Sequence, residues 1–238
     1  MSNPLDPTQI VIHVDGVALA LHVRRNPRAR RLSLRTDPAA GKVVLVLPRR
    51  ASLAAGVSFA RSQEAWIRTR LAQIPDATPL MPGVALEVAG ERLTIRHDET
   101  SRGATRRVDD ILLVSGDPRF VARRVRDWLR AQARERVTSR AHHLATGLAR
   151  QVSAVRITDT RSRWGSCAPN GRLSFCWRLV LAPATVIDYV VAHEVAHLVH
   201  LNHGPRFWQL VDQLTPHRLD AQAWLRRNGA RLLRVGAL

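Results

Sequence analysis

Several residue types that would mark particular protein classes are scarce in this chain of 238 residues. Two cysteines, Cys167 and Cys176, are too few for a disulfide framework, and their spacing matches no common zinc finger. No apolar run approaches the length of a membrane span, and the first residues lack the apolar core of a signal peptide. We therefore expect a cytoplasmic protein whose thiols are reduced.

Lysine is almost absent, and arginine carries nearly all of the formal net charge of +18. Such a charge attracts anions, so nucleotides and nucleic acids are candidate partners. A biased amino-acid composition on a solvated surface would give the same excess of arginine. The chain also lacks a glycine-rich phosphate loop, a cluster of carboxylates for magnesium, and the interleaved aromatics of a single-strand-binding platform.

The first half of the chain has the pattern of short strands around one helix. Asp15-Gly16 predicts a hairpin turn, and Ser52 is a candidate cap for a helix over residues 51–74. Three prolines indicate a linker at 75–83, and residues 102–107 are expected to form a loop. Strands are predicted at residues 10–14, 17–23, 31–35, 42–47, 84–88, 93–96 and 111–114.

The second half mixes helices with fewer strands. Asp117-Pro118 predicts the start of a long amphipathic helix over 119–146. Strands are expected at 155–158 and 173–177, and three further helices follow. No internal repeat is visible. The pattern predicts an α+β protein, with a β-rich domain over 1–116 and an α+β domain over 117–238, divided near Gly116.

His193, Glu194 and His197 form the pattern His-Glu-x-x-His, the most informative feature of the chain. Residues four apart share a helix face, so both imidazoles can reach one metal ion. Glu194 is placed to take a proton from water activated by that metal. Apolar neighbours predict a buried helix, where polar side chains need a partner. Two histidines hydrogen-bonded within a core are the structural alternative.

A third ligand would complete a catalytic zinc site, which keeps one coordination position open. His203 is preferred, because the asparagine, glycine and proline around it predict that the helix stops and the chain turns back. His200 shares the face of His193 but lies about 10.5 Å along the helix axis at 1.5 Å per residue. No glutamate follows Glu194, so Asp212 is the alternative ligand.

The developing oxyanion of such a reaction usually requires a second electrophile. Candidates are Arg163, Arg178 and Tyr189. A strand beside the metal helix could also present backbone hydrogen bonds to an extended substrate. The residues proposed for this role are Trp164, Gly165 and Ser166. A structural role is equally compatible with the sequence for this segment and for Tyr189.

Longer motifs extend the pattern around these residues. The chain reads Arg-Trp-Gly-Ser-Cys at 163–167, Trp-Arg-Leu-Val-Leu-Ala-Pro at 177–183, Ile-Asp-Tyr-Val-Val-Ala-His-Glu at 187–194, Asn-His at 202–203 and Arg-Phe-Trp at 206–208. In these motifs the chain resembles the YgjP-like metallopeptidase family, which is related to the SprT-like zincins. Departures are His200, where the family often has a charged residue, Gly204-Pro205 in place of a common Ser-Lys, and Cys176 in place of Asn.

The resemblance implies a minimal zincin fold in which His193, His197 and His203 hold zinc and Glu194 is catalytic. The expected function is a zinc-dependent metallopeptidase that hydrolyses a peptide or protein substrate with Glu194 as general base. The alternatives are a nucleoside triphosphate (UTP) pyrophosphatase, an activity ascribed to some members of the family, and a nucleic-acid-associated protease of the SprT-like kind.

Overall fold

The computed structural model describes residues 8–14 and 17–237, which form a mixed α+β structure as expected. The chain divides into two compact units, Met1–Ala77 and Thr78–Leu238. The expected domain boundary near Gly116 does not coincide with this division, because the strands before Gly116 share one hydrophobic core with the long helix after it. In the described part of the chain, the helices are too short or too polar to cross a membrane.

Unit 1 is a four-stranded sheet with two helices. Its strands are β1 (Thr8–Val14), β2 (Val17–Asn26), β3 (Ser33–Asp37) and β4 (Lys42–Pro48), in the order β1-β2-β4-β3. β1 and β2 form the expected antiparallel hairpin, whose predicted Asp15-Gly16 turn lies outside the described residues. β2 runs parallel to β4, and β3 runs antiparallel to β4.

The helix expected over 51–74 is two helices, α1 (Leu53–Ser62) and α2 (Glu64–Ala72). The predicted cap is confirmed, since the backbone N–H of Ala55 donates to the Ser52 hydroxyl at 3.1 Å. Gln63 separates the helices because its ψ of 24° departs from helical values. The bend lets both helices bury a residue against the sheet, Ala60 from α1 and Ile67 from α2.

Unit 2 begins with a second four-stranded sheet of the same connectivity. Its strands are β5 (Ala85–Val88), β6 (Glu91–Asp98), β7 (Arg106–Val108) and β8 (Ile111–Ser115), in the order β5-β6-β8-β7. As in the first sheet, two antiparallel pairs flank one parallel pair. This structural repeat was not visible in the sequence. The loop expected over residues 102–107 ends earlier than expected, since its last two residues begin β7, a strand of three exposed residues.

The long helix α3 (Val121–Gly147) follows a 3-10 turn at Pro118–Phe120. The predicted start is confirmed, since the Asp117 carboxylate accepts the backbone N–H of Arg119 at 2.9 Å. One face of α3 is buried along its length and packs against the sheets and the helix that follows. Its buried residues are Val121, Val125, Leu129, Ala133, Val137, Ala141, Leu144 and Ala145.

A third sheet and three helices complete unit 2. The strands β9 (Ala154–Thr158), β10 (Gly165–Cys167) and β11 (Arg172–Cys176) have the order β10-β11-β9, so β10 is an edge strand. A 3-10 helix at Trp177–Leu181 leads into α4 (Ala184–Ala196), which is followed by α5 (Pro205–Leu214) and α6 (Arg218–Leu233). β10, α3, α5 and α6 all pack against α4.

Candidate metal centre

The His-Glu-x-x-His motif begins in the last turn of α4 and ends at the residue that caps this helix. Packing from several sides buries most of this helix, including Glu194, which is only 6% exposed. The rings of His193 and His197 share one face, with centroids 5.1 Å apart. α4 ends at Ala196, so His197 occupies its C-terminal cap.

The chain reverses directly after His197. The backbone N–H of His200 donates to the Ala196 carbonyl at 2.9 Å, which closes a tight turn at the helix end. α5 then begins at Pro205. The reversal brings Nε2 of His203 to 3.1 Å from Nε2 of His193, as the expected stop and turn-back require.

The three histidines fit a single metal ion. One ligand atom from each of His193, His197 and His203 lies within 4.8 Å of the other two. Two histidine nitrogens on a tetrahedral zinc at about 2.0–2.1 Å are separated by about 3.3 Å, close to the distance between His193 and His203. A single N–H···N hydrogen bond would engage only two of the rings, whereas one cation can engage all three.

Local contacts also favour the neutral imidazole that binds metal. Burial, with the neighbouring His197 and His203, lowers the pKa of His193 to about 4. Burial likewise lowers the pKa of His197. Nδ1 of His197 lies 3.0 Å from the His200 carbonyl, so in the tautomer that donates this hydrogen bond its Nε2 lone pair is available to a metal.

Two aromatic residues of α5 hold the histidine rings in place. The Phe207 ring is fully buried and lies 4.5–5.0 Å from the centroids of all three rings. Trp208 stacks on His203 at 5.6 Å with an interplanar angle of 30°. Close packing on these faces restricts the rotamers of the three histidines and therefore pre-orients them.

Glu194 lies against the backbone of β10. A Cβ atom placed on Gly165 would be 2.5 Å from Glu194 Oε1 and 2.6 Å from its Cγ, so only glycine permits this approach. Burial raises the pKa of Glu194 to about 7, an effect that the positive charge of Arg163 opposes. Burial and the Glu194 charge together raise the pKa of Cys167.

A buried carboxylate beside three convergent histidines is the arrangement of a metal-dependent hydrolase. The model of the YgjP-like family, described as a YgjP-like metallopeptidase domain, matches residues 30–228. The chain belongs to this family. Searches of curated proteins and of solved structures gave no match.

In this YgjP-like chain, Tyr189 is the oxyanion candidate with direct contacts to the centre. Its ring packs edge-on against His193, with centroids 5.9 Å apart. The Gln222 side-chain amide donates to the Tyr189 hydroxyl at 2.9 Å, which leaves the hydroxyl proton free to donate elsewhere. Burial raises the pKa of Tyr189, so the phenol remains protonated at neutral pH.

Arg178 lies in a different environment from the other oxyanion candidates. Its side chain is nearly buried, pairs with the Asp159 carboxylate and donates to the Val235 carbonyl at 2.9 Å. It also stacks on Trp177 at 4.4 Å. Among the described contacts, none joins Arg178 to Glu194 or to the three histidines, so its visible role is to hold the C-terminal segment.

The proposed substrate-strand residues do not share one role. Trp164 packs against α6, since a Cβ atom on Gly229 would lie 3.3 Å from the Trp164 ring. The backbone carbonyl of Trp164 accepts a hydrogen bond from the backbone N–H of Cys176. Gly165 adjoins Glu194, and Ser166 pairs with Ser174 of β11. Of the two interpretations of this segment, a strand beside the metal helix or a structural turn, residues 165–167 form a short strand next to α4.

The other ligand candidates from the sequence lie outside the group of three. The Asp212 carboxylate accepts hydrogen bonds from Nε and Nη2 of Arg218, at 2.5 and 2.9 Å. His200 contributes its backbone carbonyl, rather than its ring, to the support of His197. Sequence reasoning missed this carbonyl, together with Phe207, Trp208 and Gln222. In the sequence, only Phe207 and Trp208 could have been noticed, because they belong to the Arg-Phe-Trp motif shared with the family.

Proposed function

We propose that this chain is a zinc-dependent peptidase in which His193, His197 and His203 hold the metal and Glu194 is the general base. The single observation that carries this proposal is a buried carboxylate, Glu194, which lies against the β10 backbone and directly follows the first of three convergent histidines. A bound zinc ion would supply Lewis acidity that polarises a carbonyl oxygen and makes water more acidic.

The environment of Glu194 suits proton transfer in both directions. A general base works best with a pKa near the operating pH, and burial holds the Glu194 pKa near 7. Glu194 would accept a proton from the attacking water and deliver it to the leaving amine. The Gly165 backbone limits the rotation of the carboxylate, so the proton acceptor is already oriented.

The edge strand supports a peptide as the substrate. β10 pairs with β11 on one side only, so its other edge can accept an extended chain through backbone hydrogen bonds. Such pairing recognises the peptide backbone whatever its side chains. Tyr189 would donate its hydroxyl proton to the developing oxyanion, and Arg163 would add positive charge nearby.

A comparison of the wild type with a Glu194→Gln variant tests the function. Both zinc-loaded proteins are incubated with a mixed peptide library and with a panel of nucleoside triphosphates. We expect new peptide termini from the wild type, and a loss of about 10²–10⁴-fold in the variant with zinc still bound. Phosphate or pyrophosphate released by the wild type alone, with peptides intact, would instead assign the site to nucleotide hydrolysis.

A further inference from the structure

Unit 1 has a dense cluster of arginines at one end of its sheet. β2 and β4 are parallel and β3 is antiparallel to β4, so the C-terminal ends of β2 and β4 meet the N-terminal end of β3. The seven arginines at this end form the arginine cluster: Arg24, Arg25, Arg28, Arg30, Arg31, Arg49 and Arg50. All are exposed, and none forms an ion pair with another described residue.

The two segments that carry these arginines contain no acidic residue. Residues 16–36 and 38–63 contain no aspartate or glutamate. α1 also begins at this end of the sheet, and its first turn has no acidic residue to offset the positive end of the helix dipole. The cluster is therefore a local source of positive potential. An even distribution of the chain's arginines over the surface would not produce one.

Hydrogen bonds hold the two loops of the cluster in defined positions. Arg25 Nη1 donates to the Ala51 carbonyl at 2.8 Å and thereby ties the β4–α1 loop to the end of β2. In the β2–β3 loop, the backbone N–H of Arg28 donates to the Asn26 side-chain oxygen at 3.0 Å. The backbone N–H of Ala29 donates to the Asn26 backbone carbonyl. Binding an anion would therefore cost little backbone ordering.

The chemistry of the cluster favours phosphates arranged along a duplex. Guanidinium groups bind phosphate through paired hydrogen bonds, and the cluster contains arginine alone. Three adjacent strand ends span about 10 Å at the usual strand spacing. This width is comparable to that of the major groove of a duplex, ~12 Å, so the cluster can contact phosphates on both sides of the groove.

Two other polyanions fit less well. Residues 24–33 and 47–52 contain no aromatic side chain on which the bases of a single strand could stack. These residues also present no large apolar side chain for insertion into a lipid surface, since Leu32 packs on the core and Leu47 is buried. The nearby Leu53, at the start of α1, is 39% exposed, but one aliphatic side chain offers little apolar area for membrane binding. The remaining contacts are those of a duplex phosphate backbone, which carry no sequence information.

We propose that the arginine cluster of unit 1 binds the phosphate backbone of double-stranded nucleic acid without sequence preference. This function is separate from the peptidase proposed for unit 2.

The test compares two triple variants of the full chain with equal loss of charge. One replaces Arg30, Arg49 and Arg50 of the cluster with glutamine. The control replaces Arg61, Arg68 and Arg70, which are exposed on α1 and α2 of the same unit. Because both variants lose the same net charge, long-range attraction falls similarly in both, and a difference between them reports the cluster itself.

Binding to labelled 20-base-pair DNA and RNA duplexes of two sequences is measured between roughly 50 and 200 mM salt, the range over which phosphate contacts are most evident. We expect the cluster variant to bind more than about tenfold more weakly and the slope of log K against log salt to fall by about 3, with a smaller change in the control. Comparison of the duplexes identifies DNA, RNA or both as the source of the phosphates.

Three results would overturn the proposal. They are equal weakening in the two variants, no duplex binding by the wild type at about 150 mM salt, and tighter binding to anionic vesicles or polyglutamate than to either duplex. A single Arg50→Gln variant, compared with Arg61→Gln, gives the same contrast if a triple variant folds poorly. Circular dichroism and zinc content check the fold of each variant.

Discussion

The backbone of Gly165 and the carboxylate of Glu194 are in such close contact that a methyl group on Gly165 would lie 2.5 Å from Glu194 Oε1. This contact joins the edge strand β10 to the last turn of α4. It places the candidate base directly beside the strand proposed to bind substrate. The position of the base thus depends on a residue that has no side chain.

We expect Gly165→Ala to displace the Glu194 side chain without disturbing the three histidines. A displacement of about 1 Å in a catalytic group can cost about 10²-fold in rate, and we expect kcat to fall by that order. Zinc affinity should be unchanged. Gly147→Ala is the matched control, since a Cβ atom on Gly147 meets nothing within 4 Å. Equal activity of the two variants would show that the contact does not orient Glu194.

Phe207→Ala should destabilise the protein and loosen the metal centre together. Phe207 is fully buried against the three histidine rings, and removing such a side chain costs about 3–5 kcal/mol of unfolding free energy. Denaturant unfolding measures the first effect and a chelator competition the second. Phe120→Ala, at a ring that is 40% exposed, should change both quantities little. Unchanged zinc affinity in Phe207→Ala would contradict a role in holding the rings.

Arg178→Gln separates a structural from a catalytic role for Arg178. The substitution removes the ion pair with Asp159 and the bond to the Val235 carbonyl, and we expect it to cost about 2–3 kcal/mol of stability. The kcat of the folded, zinc-loaded protein should be unchanged. Arg156→Gln, at an exposed position on β9, is the control. A large fall in kcat with normal stability would return Arg178 to the oxyanion candidates.

The elements of the site that could be predicted from the sequence are those set by local geometry. The helical repeat alone places His193 and His197 on one face, and the glycine and proline after His203 predict the reversal that brings it back. The approach of Gly165 to Glu194 joins segments far apart in sequence and has no periodic signature. The His200 carbonyl is a backbone group, so no side-chain pattern could have indicated it.

The fold shows the same division between local and long-range information. The strands with alternating apolar residues and the caps at Ser52 and Asp117 were predicted, because each depends on neighbouring residues. The break between α1 and α2 was missed, since apolar spacing continues across Gln63. The shared connectivity of the two four-stranded sheets was missed as well, because strand order depends on pairing between distant segments.

The most direct test of the account is the zinc content and zinc affinity of three proteins: the wild type, His203→Ala and Asp212→Asn. We predict one zinc ion per wild-type chain, a loss of affinity of more than about 100-fold in His203→Ala, and no change in Asp212→Asn, whose carboxylate is engaged by Arg218. Unchanged zinc binding in His203→Ala, with loss in Asp212→Asn, would contradict the three-histidine centre from which the proposed chemistry follows.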